Sequence, residues 1–362
     1  MLEAESLLEG LRIIFVFIVA WLLAFSATPI VRVLAQKIGA VDVPKDERRL
    51  HKEPIPRLGG LAIFYGFIVA VLCFVEITTA VRGVIIGAVI IVTLGVVDDV
   101  KPLPAMLKLI VQIFAAWVVV SQGVRIDVFT NPFVADSYFA LGAWAVPVTI
   151  LWIVGITNAV NLLDGLDGLA VGVSSITAVT LVVISMIMRN EAIAILAVAL
   201  AGAGFGFMPF NIHPAKLFMG DTGSTFLGFM LASISIMGLF KAYAMISFAV
   251  PFFILALPIF DTGFAIIRRV LQGKSPMSPD RGHLHHRLID QGFTQKQAVI
   301  TLYTISSLLS LSAVVMMLNG VGSGLILIAA VAALAIIGYK FIFEQNIDIF
   351  ARRHEGEGEG KK

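Results

Sequence analysis

Between Leu11 and Phe343 the chain passes repeatedly through apolar stretches of bilayer-crossing length, separated by short polar breaks. A helix of about 20 mostly apolar residues crosses the hydrocarbon of a membrane, so the pattern predicts an all-α, polytopic membrane protein. Composition agrees: 59% of residues are hydrophobic and 14% charged, with mean hydropathy +0.96, where a soluble domain has about 45–50% and about 25%. Reading apolar runs against breaks places about eleven transmembrane helices, at 11–31, 58–76, 83–97, 106–122, 143–158, 168–188, 191–208, 222–239, 244–267, 298–318 and 322–343. Glu3, Glu5 and Glu9 precede the first, where a cleaved leader would be basic, so it is expected to be retained. Residues 1–350 then form one transmembrane domain, and 351–362, ending EGEGEGKK, a disordered tail.

Alternation of spans sorts the breaks into two sides. One side carries Arg32, Lys37, Lys45, Arg48, Arg49, Lys52, Arg57, Lys101, Lys108, Lys216, Arg268, Arg269, Lys274, Arg281, Arg287 and Lys296; the other has Arg12, Arg82, Arg125, Arg189 and Lys241. Lys and Arg accumulate on the cytoplasmic side, so the first set is inside and the amino terminus outside. A net charge of +2 is too small to suggest nucleic acid as a partner. Cys73, the single cysteine, excludes an intrachain disulfide and a thiolate metal cluster.

The chemistry-bearing residues fall on the inner side. Five carboxylates stand at that membrane edge: Asp98 and Asp99 after span three, Asp164 and Asp167 after span five, and Asp221 before span eight. Ionisable groups in or beside membrane segments are costly and mark function. Gathered together, two such charges 4 Å apart repel by about 4 kcal/mol at an effective dielectric of 20. A divalent cation relieves that repulsion, and an all-oxygen donor set suits magnesium. Taken singly, each Asp reads equally well as a helix cap.

Asn158, Asn161, Asp164 and Asp167 follow one another at steps of three in NAVNLLDGLDGLA. In a helix, neighbours at that step share a face while the ends of the series diverge, so adjacent pairs can hold one ligand. FMGDTGSTFLG places Asp221 at the start of a span, where a cap and a metal ligand are both open readings. The loop SPDRGHLHHRL gathers Arg281, His283, His285, His286 and Arg287, a set that suits a pyrophosphate or nucleotide, since guanidinium groups pair bidentately with phosphate. Its bland alternative is a solvated basic loop. Lys45, Arg48, Arg49, His51, Lys52 and Arg57, around the PRLGG segment, read as topology determinants beside anionic lipid.

In order and spacing, PRLGG, VDDV, NAVNLLDGLDG, FNIHPAKLFMGDTGS and the HLHHR loop resemble the polyprenyl-phosphate N-acetylhexosamine-1-phosphate transferase family over almost the whole chain. PRLGG and DRGHLHHRL are similar to its WecA and TagO branch; the MraY branch has a different glycine motif and three successive histidines. The resemblance implies transfer of GlcNAc-1-phosphate from UDP-GlcNAc to polyprenyl phosphate, releasing UMP, at the cytoplasmic face of a bacterial inner membrane. Another UDP-HexNAc, or UDP-MurNAc-pentapeptide, stays open as donor, and a homodimer as assembly. It further implies Mg2+, with Mn2+ able to substitute, at Asp221 and Asn161. By the same resemblance Asp98 and Asp99 lie near the attacking lipid phosphate and Lys108 on it. Asp164 and Asp167 line the nucleotide pocket, with Asn158 and Asn211 in the same cleft. His283, His285, His286 and Arg287 read the sugar, and Arg281 stays a substrate-binding candidate of the same loop. Asp261 is left as a partner for basic groups. Direct attack and a covalent intermediate on Asp98 are both open. A secondary transporter is the competing class; it would place repeats across the halves and charges near mid-membrane.

Overall fold

A computed structural model describes residues 2–43, 54–130, 138–238, 249–275 and 282–333. The chain is built from helices α1 (Leu2–Lys37), α2 (Gly60–Phe74), α3 (Thr79–Val100), α4 (Ala105–Ser121), α5 (Ala145–Leu163), α6 (Leu169–Ile187), α7 (Glu191–Asn211), α8 (Gly220–Gly238), α9 (Ala249–Ile254), α10 (Ala256–Leu271), α11 (Leu284–Asp290) and α12 (Gln295–Asn319). A shorter apolar helix, Val321–Ala333, follows. Two small antiparallel ribbons depart from the purely helical expectation: β1 (Val41–Asp42) with β2 (Ile55–Pro56), and β3 (Val128–Thr130) with β4 (Tyr138–Ala140).

Six helical segments among the described residues are long and apolar enough to cross a membrane: Leu8–Lys37, Thr79–Val100, Gly142–Leu163, Leu169–Ile187, Glu191–Asn211 and Gln295–Asn319. The predicted stretch 244–267 is not one continuous helix. It breaks at Leu255 between α9 and α10, because Pro258 has no N–H to donate back to the Ile254 carbonyl; the Thr177 hydroxyl donates to that oxygen instead, at 3.3 Å. Residues 239–248 and 334–343 of the predicted spans, the tail 351–362, and Lys45, Arg48, Arg49, His51, Lys52 and Lys241 lie outside the described residues.

Helices α7 and α8 form the centre. α8 packs against α3 and α5, and α7 against α1 and α6; Phe207, Phe226 and Phe229 are fully buried between them. Phe226 meets Phe64 edge-to-face at 5.5 Å, the geometry aromatic pairs favour. The outward faces of α1, α4 and α5 leave Phe15, Ile30, Trp117 and Leu151 exposed, as a helix facing lipid requires. At one end of the bundle Arg12 pairs with Glu191 and donates to the Phe74 carbonyl at 2.7 Å, tying α1, α2 and α7. Arg32, about 30 Å further along α1, lines a cleft at the opposite end.

Candidate active site

The cleft exists because the ends of α2, α3 and α8 come unusually close. Gly60 and Gly223 face each other so tightly that a Cβ on Gly60 would enter the backbone of α8. Asp99, at the end of α3, uses that proximity. Its Oδ1 accepts from the Asp221 amide at 3.0 Å, and its Oδ2 from the Thr222 amide at 3.0 Å and hydroxyl at 2.6 Å. The first amides of a helix lack intrahelical acceptors, so a carboxylate 2% exposed serves as the cap of α8 from another helix. Arg57 closes the arrangement by donating Nε–H to the Asp99 carbonyl at 3.1 Å.

With α8 fixed, Asp221 is presented to its neighbours. Lys108 of α4 donates to Asp221 Oδ2 at 2.9 Å and to Asp98 Oδ2 at 3.2 Å. Asp98 Oδ1 accepts from the Leu103 amide at 2.8 Å. From α5, Asn161 Nδ2 donates to Asp221 Oδ1 at 3.2 Å and to the Ser224 hydroxyl at 2.8 Å. Four helices thus contribute one polar cluster of Asp98, Lys108, Asn161 and Asp221.

The cluster adjoins a cleft of about 800 Å³, lined by Asp99, Asn161, Asp164, Asp167, Asn211, Asp221 and His286 among others. The helical-step argument holds only for Asn158 and Asn161. α5 ends at Leu163, and Asp164 and Asp167 lie on the turn before α6. Asp164 has no side-chain hydrogen-bond partner among the described residues; burial, then the Asp221, Asp99 and Asp167 carboxylates, push its carboxyl up to about 8. Asp167 accepts from the Ala215 amide at 3.1 Å and meets His213 Nδ1 at 2.8 Å. Asn211, 2% exposed, accepts from the Gly168 amide and donates to the Leu217 carbonyl, both at 3.1 Å, so it pins two turns of the cleft wall. Asn158 stands outside the lining; it donates to Gln112 Oε1 at 2.7 Å and to the Val154 carbonyl at 2.8 Å.

Asp261 of α10 organises the histidine loop. It meets His283 Nδ1 at 2.9 Å and accepts from the Leu284 amide at 2.7 Å. The His283, His285 and His286 rings lie in series, with centroids 5.8 and 4.3 Å apart. His285 packs onto Gly165, where any Cβ would collide with its ring; burial, then His286 and His283, pull it down to about 4. His286 reaches the cleft lining, while His283 and His285 are buried behind it and Arg287 is exposed away from it. Arg281 lies outside the described residues.

The donor set suits a hard cation. Asp221 and Asp98 carboxylates and the Asn161 amide offer oxygen, and the Lys108 ammonium rests where two carboxylates share a positive charge. No group of three His, Cys, Asp or Glu side chains is poised as a metal cage among the described residues. A hard ion of this kind takes few protein ligands and completes its shell with water and phosphate oxygens.

A family model for glycosyl transferase family 4 matches residues 81–239, the stretch that supplies Asp98, Asp99, Lys108, Asn161 and Asp221. The chain is 43% identical over 307 residues to a Bacillus subtilis (strain 168) protein named "Probable undecaprenyl-phosphate N-acetylglucosaminyl 1-phosphate transferase", covering 84% of this chain and 85% of the relative. The chain belongs to glycosyl transferase family 4. A "Decaprenyl-phosphate N-acetylglucosaminephosphotransferase" of Mycolicibacterium smegmatis is 36% identical, covering 78% and 77%. An "Undecaprenyl-phosphate alpha-N-acetylglucosaminyl 1-phosphate transferase" of Escherichia coli O157:H7 is 27% identical, covering 77% of each. With its apolar helices, this glycosyl transferase is a multi-pass membrane protein. Its cleft includes residues that sequence reasoning passed over: Arg57, His213, Lys216 and Asp42. Arg57 carried a signal, its place inside PRLGG, as did His213 and Lys216, inside FNIHPAKLFMGDTGS.

Proposed function

We propose that this glycosyl transferase moves GlcNAc-1-phosphate from UDP-GlcNAc to a polyprenyl phosphate, giving polyprenyl-diphosphate-GlcNAc and UMP. Supporting it most directly is the convergence of Asp98, Lys108, Asn161 and Asp221 from four helices into one polar cluster, two of whose members, Asn161 and Asp221, line the cleft. The names of the relatives specify the same donor fragment and acceptor class. A phosphate oxygen of the acceptor attacks the sugar-linked phosphorus, and the bond from that phosphorus to the UMP oxygen breaks. Four negative charges enter and four leave, so no net proton moves. A phosphate monoester with second pKa about 6 is already a dianion at neutral pH, and the work of the protein is positioning and charge neutralisation. Lys108 supplies a cation for the acceptor. Asp221 and Asn161 would hold Mg2+, which would neutralise diphosphate charge. On this reading Asp98, which accepts from Leu103 and Lys108, positions Lys108 for direct attack by the acceptor phosphate.

With this reading go eleven crossings, an outside amino terminus and a cleft open to the cytosol, where nucleotide sugars reside; the product would start a cell-envelope glycan. The test is UMP release by purified protein in detergent, with UDP-GlcNAc and undecaprenyl phosphate, with and without Mg2+. Release without any sealed compartment is expected, and UDP-MurNAc-pentapeptide should be a poor donor. Absence of UMP with every UDP-HexNAc, together with substrate uptake in vesicles, would instead establish a transporter.

A further inference from the structure

We propose that Arg57 is a substrate-contacting residue that binds the diphosphate of the donor through its two terminal nitrogens. The proposal rests on the transferase reading and assigns a group which that reading leaves out. Arg57 begins as one of many cations in a basic stretch, yet its surroundings differ from those of a solvated arginine. Its backbone amide donates to the Ala40 carbonyl at 2.9 Å, and it bridges to Phe218, just ahead of α8. The Nε–H donates to the Asp99 carbonyl at 3.1 Å, with Asp99 Oδ1 3.9 Å away. Three contacts therefore pin the residue to the end of α1, the end of α3 and the entrance of α8. Neither terminal nitrogen has a partner among the described residues, and the side chain, 28% exposed, lines the cleft beside Asn161 and Asp221.

A guanidinium with Nε engaged and both Nη groups free is half of a bidentate anion site already oriented. The other Lys and Arg side chains lining the cleft, Arg32 and Lys216, are exposed. Lys108 is not part of the lining; it pairs with Asp98 and Asp221 and belongs, on the transferase reading, to the acceptor phosphate. A diphosphate entering among carboxylates finds one fixed, half-buried cation on its side of the cleft, and that is Arg57. Its charge-assisted bonds would persist on the UMP phosphate as the bond to the sugar-linked phosphorus breaks, so it lowers the cost of the leaving group as well as binding donor. Because Arg57 is held through Asp99, it is aligned with the same helix start that presents Asp221.

The experiment compares wild type, R57Q and R57K by titrating UDP and uridine into purified protein and by measuring kcat and KM for UDP-GlcNAc. We expect R57Q to weaken UDP by about tenfold or more and to leave uridine unchanged. Lysine should recover part of the loss, since it restores the charge without the fork. Equal weakening of UDP and uridine would show that Arg57 only supports the fold, and unchanged UDP affinity would remove it from the site; either result overturns the proposal. If R57Q does not fold, R57K carries the same comparison, with UDP falling against uridine as the required result. A wild-type protein that binds UDP through Arg57 but releases no UMP would sink the transferase reading and not this one.

Discussion

Replacing Asp99 by Ala separates support from chemistry at this site. The carboxylate accepts two backbone amides and one hydroxyl at the start of α8 while almost fully buried. Removing it strands the amides of Asp221 and Thr222; each buried donor left without a partner costs about 1–3 kcal/mol, while the Thr222 hydroxyl can turn elsewhere. The total of about 2–6 kcal/mol is a large part of the about 5–15 kcal/mol that holds a typical protein folded. Asp99→Asn keeps one acceptor oxygen but sets its amide against a donor, so it should fall between wild type and Ala. Membrane proteins in detergent unfold irreversibly, so the readout is the half-life of thermal inactivation, with hydrogen exchange at residues 220–223. Asp98→Asn is the contrast: its contacts lie on the loop and on Lys108, and it should lose UMP release with little change in half-life. An Asp99→Ala protein with wild-type half-life and protection, yet no activity, would refute the capping argument and put Asp99 directly on a substrate.

Asp221→Ala should abolish UMP release at every Mg2+ concentration while the fold survives; an active mutant, properly folded, would take Asp221 out of the cation site. Gly165→Ala forces a Cβ into the His285 ring and should shorten the thermal half-life. Adding His285→Ala should restore much of it, and strict additivity of the two changes would mean that they do not touch. His285 has a folded pKa of about 4 against 6.5 in the unfolded chain, so between those values the unfolded state binds more protons. Stability is then lost as pH falls through that window, by at most about 3 kcal/mol, and His285→Gln should flatten the acid limb; an unaltered limb assigns it to another group. Radiolabelled UMP should not exchange into UDP-GlcNAc without lipid acceptor, and exchange would instead place the sugar phosphate on the protein.

Much of the fold was legible because burial in lipid writes itself into composition: among the described residues, each predicted apolar stretch falls largely on helix. The break at Leu255 was not, since an apolar run looks the same whether straight or interrupted; Pro258 was the visible hint. The acids at one membrane edge were found by charge and position, and the structure brings Asp98, Asp99, Asp164 and Asp221 to one cleft region. Their roles were harder to read. Asp99 caps a helix 123 positions away, and no local pattern announces a cap supplied from so far. Asn158 fitted the spacing of its neighbours but pairs with Gln112, a partner on another helix. Arg57 was hidden among cations because a pinned guanidinium and a solvated one have the same letter.

The bonds that hold the cleft together join positions far apart in synthesis. The Asp221 amide finds Asp99 across 122 residues, and Lys108 finds Asp221 across 113. A ribosome adding about 5–20 residues per second needs roughly 6–24 s to supply that interval. Throughout it, two acids and a lysine wait at the lipid boundary with their eventual partner not yet made. A nascent chain stopped before α8 therefore carries Asp98, Asp99 and Lys108 but lacks Asp221, the acid that Lys108 meets and that Asp99 presents, so the cluster closes only when the eighth helix arrives.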